Sequence, residues 1–123
     1  MVIGRLERDG LIAGNYPLVA MEVIVSGPAT SGITEFKRGD VIALVNGTTP
    51  ALVDSASTAT DGTRAVGIMC DNVVVNAGEQ KTTTMYIKGE FNHRALRFGG
   101  SDTPADHIRH MTEIGLIIRE TRV

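Results

Sequence analysis

The chain has 123 residues and a mass of 13.1 kDa, the length of one domain, so a separate substrate domain or a large active-site insert is not expected. Hydrophobic residues make up 42% and charged residues 21% of it, a globular composition that excludes a disordered or low-complexity chain. Its formal charge of -2 opposes nucleic-acid binding by counterion release, and an aromatic content of 4% with no Trp supplies few base-stacking platforms.

Residues 1–14 interleave the apolar Val2, Ile3, Leu6, Leu11 and Ile12 with charges and glycines. Such a segment reads equally as an ordinary first strand or as an arm that adds a strand to a partner's exposed sheet edge. Arg5, Glu7, Arg8 and Asp9 break the apolar run that a signal peptide requires, and no stretch approaches the length of a membrane span. Synthesis in the cytoplasm, with no membrane partner, is therefore the expectation. The single cysteine, Cys70, has no internal disulfide partner, which fits a reducing compartment.

Residues 21–25 and 40–46 are short, rich in Val and Ile and bounded by turn residues, and they predict strands. Between them, residues 26–32 hold two glycines, a proline and small polar side chains, which predicts an exposed, mobile loop. Residues 51–54 suggest another short strand. Asp61-Gly62 is a turn signal leading into a strand over 65–69, whose buried and exposed faces are hard to tell apart. A turn at 77–80 precedes a half-buried strand over 82–88, with Met85 and Ile87 on one face and Thr84, Tyr86 and Lys88 on the other. Asn92 is placed to cap a short helical turn holding Ala95, Leu96 and Phe98. Thr103, Pro104 and Asp106 have the form of a second helix start. Ile108, Met111 and Ile114 would share its buried face, Gly115 would end it, and residues 116–121 read as a last strand. The pattern is mainly β, a small single domain of short strands with two short helices, without repeats or an alternating strand–helix period.

The candidate chemistry is sparse. His107, His110 and Glu113 lie three residues apart, so adjacent turns of a helix would carry two imidazoles and a carboxylate, a set able to hold zinc and activate water. Zinc helices more usually space their histidines four apart and add a further ligand, and a solvated polar face explains the same residues more simply. Arg38-Gly39-Asp40 spells an integrin-binding tripeptide, but Gly39 more simply supplies a positive φ at the turn into the next strand. Cys70 sits in an apolar, strand-like segment with no local activating motif. Gly99-Gly100-Ser101 lacks the strand-to-helix setting of a phosphate loop. No catalytic residue, cofactor or metal ligand is therefore assigned.

One phrase of sequence says more. It runs Arg38-Gly39-Asp40-Val41-Ile42, Asp61-Gly62, Ala65-Val66-Gly67-Ile68, Asp71-Asn72-Val73, and then Tyr86-Ile87-Lys88-Gly89-Glu90-Phe91-Asn92 with Ala95-Leu96. In order and spacing it resembles the lambda-type head decoration proteins of tailed bacteriophages, over about two thirds of the chain. The resemblance implies a β-clip-like domain that assembles as a homotrimer and binds the major capsid protein at local threefold sites outside an expanded head. It implies a structural virion protein on the capsid surface and not an enzyme. It would divide the chain into a flexible capsid-contact segment, residues 1–14 with Val2, Ile3, Leu6, Leu11 and Ile12 as contacts, and a β-rich decoration domain, residues 15–123. Unlike the phage lambda protein, this chain has no long Pro-, Ala- and Thr-rich arm. The two rivals are a small metal-dependent hydrolase using His107, His110 and Glu113, and a β adaptor or adhesive module displaying residues 26–32 and 38–40.

Overall fold

Runs of β-branched and apolar residues separated by glycine turns give a mainly β domain, as the sequence predicts. The structure is a computed structural model and describes residues 10–13 and 17–119. Eight strands follow in chain order: β1 (Val19–Ser26), β2 (Ile33–Phe36), β3 (Val41–Val45), β4 (Thr49–Leu52), β5 (Ala65–Met69), β6 (Val73–Asn76), β7 (Gln80–Asn92) and β8 (Leu116–Arg119). A single 3-10 turn, His93–Ala95, and one helix, α1 (Pro104–Glu113), lie between β7 and β8. The first of the two expected helices is thus only that turn, with the Asn92 side chain accepting a hydrogen bond from the Arg94 N–H as its cap.

The main sheet runs β1-β7-β5-β3-β4, all antiparallel, and β8 adds to the end of β7 in parallel. β2 and β6 form a separate antiparallel pair. Two buried clusters flank the main sheet. One gathers Val41, Ala43, Ile68, Tyr86, Phe91, Met111 and Leu116; the other gathers Val25, Phe36, Ile42, Met69, Val73, Val75 and Met85. Adjacent residues of β3, β5 and β7 therefore go to opposite cores, because the central strands are covered on both faces. This is why residues 65–69 show no exposed face, and it corrects the half-buried reading of residues 82–88 at Met85 and Tyr86, which are both buried.

Local chemistry explains the strand ends. Asn46 and Gly47 take positive φ of 55° and 78° in a turn closed by Thr48 N–H donating to the Val45 carbonyl at 3.1 Å. Asn-Gly is the pair that tolerates this conformation. The tight turn starts β4 at Thr49, two residues earlier than the expected strand over 51–54. In β7, the pairing with β1 slips between Val19/Ala20 and Lys88/Tyr86. That bulge shifts the alternation, so Phe91 joins the core of Tyr86 instead of that of Met85.

The start of α1 follows the sequence closely. Thr103 precedes Pro104 at the first turn, and the Asp106 carboxylate accepts from the Thr103 N–H at 2.8 Å, the reciprocal half of a capping box. Its buried face differs from the expectation. His107 and Met111 point inward, Ile114 is partly buried against the core, and Ile108 is exposed. The stripe at i, i+4 and i+7 passes through position 107, and this histidine is admitted because both its ring face and its nitrogen find partners.

Candidate functional site

The densest polar cluster ties two loops, the one after β4 and the one before α1, to the first turns of α1. His107 Nε2 donates to Asp102 Oδ2 at 2.6 Å, while Ser55 Oγ donates to Asp102 Oδ1 at 2.7 Å and Ser55 N–H to Oδ2 at 2.6 Å. Phe98 stacks on the imidazole with ring centroids 5.2 Å apart. The order is serine, carboxylate, imidazole. A nucleophilic serine needs the imidazole next to its hydroxyl, so this arrangement clamps loops and leaves Ser55 without a base. His110 Nε2 instead donates to the Ala65 carbonyl at 3.3 Å, and its Nδ1 lies 4.0 Å from Glu113. His107, His110 and Glu113 do not converge, and no group of three or more His, Cys, Asp or Glu side chains able to hold a metal forms among the described residues.

The clamp has a pH signature. Ser55 first and His107 second hold the Asp102 carboxyl below its ordinary value of 3.8. A carboxyl lowered on folding stabilises the fold above its unfolded value and loses that contribution as pH falls through the folded one. Asp102→Asn is accordingly expected to cost about 1–3 kcal/mol at pH 7. Urea denaturation at pH 7 and again at about pH 3 should show the gap to wild type shrinking on acidification; a constant gap would contradict the clamp's charge.

The Arg38-Gly39-Asp40 tripeptide is not displayed, which corrects the adhesive alternative at this loop. Asp40 is buried, and Arg97 grips it with two bonds, Nε to Oδ1 at 2.7 Å and Nη2 to Oδ2 at 2.6 Å. The Lys37 N–H also donates to Oδ2 at 2.9 Å. Gly39 takes φ +97°, as the turn reading requires, and a Cβ there would overlap the Ala95 carbonyl. Arg38 Nη1 donates to the Cys70 carbonyl at 2.7 Å and to the Tyr86 hydroxyl at 3.1 Å. Cys70 itself is buried and its thiol pKa is pushed up, chiefly by that burial, so it is a packing residue and a poor nucleophile.

Of the expected contact residues, Val2, Ile3 and Leu6 lie outside the described residues. Leu11 is buried in the first core. Ile12 forms an antiparallel bridge with Phe91, the Leu11 carbonyl accepts from Asn92 N–H at 2.8 Å, and Ala13 N–H donates to the Glu90 carbonyl at 2.9 Å. Residues 11–13 thus run beside the end of β7, held there by one isolated antiparallel bridge and two backbone hydrogen bonds.

A different surface stands out. β1 is the end strand of the main sheet, pairing only with β7 among the described residues. Leu18, Val19, Met21 and Ile24 on and before it are between 39% and 55% exposed. Met21, Val23 and Ile24 also line an open groove of about 440 Å³ with Leu44, Thr48, Thr82 and Met85. Monomeric proteins protect such an edge with lysines, prolines or very short strands. Here eight residues carry one charge, Glu22. The sequence holds no separate signal for this, because residues 19–25 place apolar side chains at both parities, as the doubly covered central strands also do.

In comparisons with known proteins, the chain matches no family model and no curated protein.

Proposed function

We propose that the protein is a structural virion subunit, which assembles as a homotrimer on the outside of a phage or prophage capsid at local threefold sites and stabilises the expanded shell. The observation that carries this reading is the set of exposed apolar side chains on β1, an end strand that pairs with β7 alone among the described residues. Leaving that much apolar surface in water is unfavourable, and burial against another subunit removes it. Two features of the site add support. Its polar groups are consumed in pairings that hold loops together, and the sequence phrase resembling decoration proteins falls on β3, β5, β7 and the loop residues before β3, before β5 and after β5 and β7. The resemblance supplies the trimer and the capsid, and β1 supplies a surface for contact. Three subunits meeting a threefold site convert weak single contacts into firm attachment through effective concentration.

Native mass spectrometry of the protein purified from cells is the test. The expected spectrum is a metal-free trimer, and the expected companion result is that added protein protects expanded capsids from heat. A monomer at every concentration would overturn the reading. A monomer carrying one zinc would favour the hydrolase, with His107→Ala then abolishing the bound metal.

A further inference from the structure

A second concave surface, separate from β1, lies where β5, β7 and the last turn of α1 meet. Val66, Ile87 and Ile114 form its floor, Arg64 and Lys88 its rim, and His110 one wall, enclosing about 390 Å³. Val66 and Ile87 also back the second core, so rigid packing supports the floor. Neither Arg64 nor Lys88 makes an ion pair or a side-chain hydrogen bond among the described residues. The stem of Lys88 lies across Gly115, where a Cβ would stand 3.2 Å from its Cγ. That contact limits the swing of the ammonium. The His110 ring is fixed by its bond to the Ala65 carbonyl, and among the described residues the one acid paired with it is the exposed Glu113. Two unpartnered cations over an aliphatic floor run against the chain's formal charge of -2.

The geometry points to a binding site for an acidic–aliphatic peptide segment of a partner protein, with a carboxylate between Arg64 and Lys88 and a branched aliphatic side chain on Val66, Ile87 and Ile114. Charge complementarity selects the carboxylate, and the guanidinium of Arg64 suits it for two-point contact. The floor selects the aliphatic neighbour, since a bare anion would leave it wet. Among the described residues no Phe, Tyr or Trp lines the site, so it lacks the broad ring platforms on which bases preferentially stack. Its size is at the low end of ligand pockets, room for two side chains more than for a cofactor. The proposal stands apart from the capsid reading, because it concerns a contact made by each subunit alone.

The test is amide-detected NMR of the intact ¹⁵N-labelled protein titrated with the blocked tripeptide acetyl-Leu-Glu-Leu-amide. The expected result is a saturable shift confined to residues 64–66, 87–88, 110 and 114, with Kd of about 1–5 mM. Binding should weaken about tenfold with the Gln counterpart of the peptide and with Arg64→Glu, an exposed position whose change leaves the melting temperature unaltered. No saturable shift up to about 20 mM, equal binding of the Gln peptide, or the same shifts with inorganic phosphate at equal affinity would each overturn the proposal. Native mass spectrometry reports the trimer independently, so failure here and failure of the capsid reading are distinguishable.

Discussion

Arg97→Ala is expected to destabilise the protein by about 3–5 kcal/mol, more than Asp40→Ala, although the two side chains form one ion pair. The asymmetry comes from burial. The Asp40 side chain is 1% exposed, whereas that of Arg97 is 52% exposed. Removing the arginine strands a carboxylate away from water with the Lys37 N–H as its one remaining donor among the described residues, and an uncompensated buried charge is the costly outcome. Removing the aspartate frees a guanidinium that is already half in solvent and leaves Lys37, an exposed residue, to find water. That change should cost about 1–3 kcal/mol.

The pair also fastens a loop. Val41 N–H donates to the Arg97 carbonyl at 3.0 Å and Arg97 N–H to the Gly39 carbonyl at 3.1 Å, so residues 93–99 are tied to the start of β3 by backbone and side chain together. Phe98, next in the chain, then reaches the first core and stacks on His107. Urea unfolding of the two single variants and the double variant measures the difference directly, and thermal unfolding should show Arg97→Ala lower by on the order of 10 °C or more. Equal losses would mean that Asp40 is satisfied without its partner.

Features set by neighbours in sequence were legible, and features set by distant partners were not. The Thr103 cap, the Gly39 turn, the Asn92 cap and the strand over 65–69 each depend on residues within a few positions, and each stands where the sequence places it. The β2–β6 pair was missed because it joins Ile33 to Asn76 and Phe36 to Val73, across about forty residues. Each strand is four residues long, too short to carry a period of its own. The inward turn of His107 was equally hidden: its burial is favourable only because Asp102 and Phe98 arrive from a preceding loop. Two-sided burial of β3 and β5 left no alternation to detect, and in β7 it buried Tyr86 on the face read as exposed. The same limit applies to the candidate interface. Residues 21–25 read correctly as a strand, but that β1 lies at the end of the sheet with Met21 and Ile24 bare follows only from the strand order.

That edge leads to the largest expected effect on function. On the proposed capsid reading, Met21→Lys combined with Ile24→Lys should convert the trimer to monomers and abolish protection of capsids while leaving the subunit folded. Both side chains are exposed in the single subunit, so each replacement there falls in the range of surface changes, within about 0.5 kcal/mol. In an assembled ring the same positions would be covered. Each aliphatic side chain buried contributes about 1.5–3 kcal/mol, and every subunit contact in a closed ring repeats the loss. The lysines also add desolvation of unpaired ammonium groups, the device by which monomeric proteins keep open strand edges apart. Together these shift the concentration for assembly upward by at least about 100-fold. Thr58→Lys, in the exposed loop before β5, adds a charge elsewhere and should leave assembly and protection unchanged. Native mass spectrometry across protein concentrations separates the outcomes, with thermal unfolding of the monomer as the check on folding. A trimer that survives both lysines would place the subunit contact on another face and leave the bare edge of β1 for the shell itself, in which case capsid protection alone would be lost.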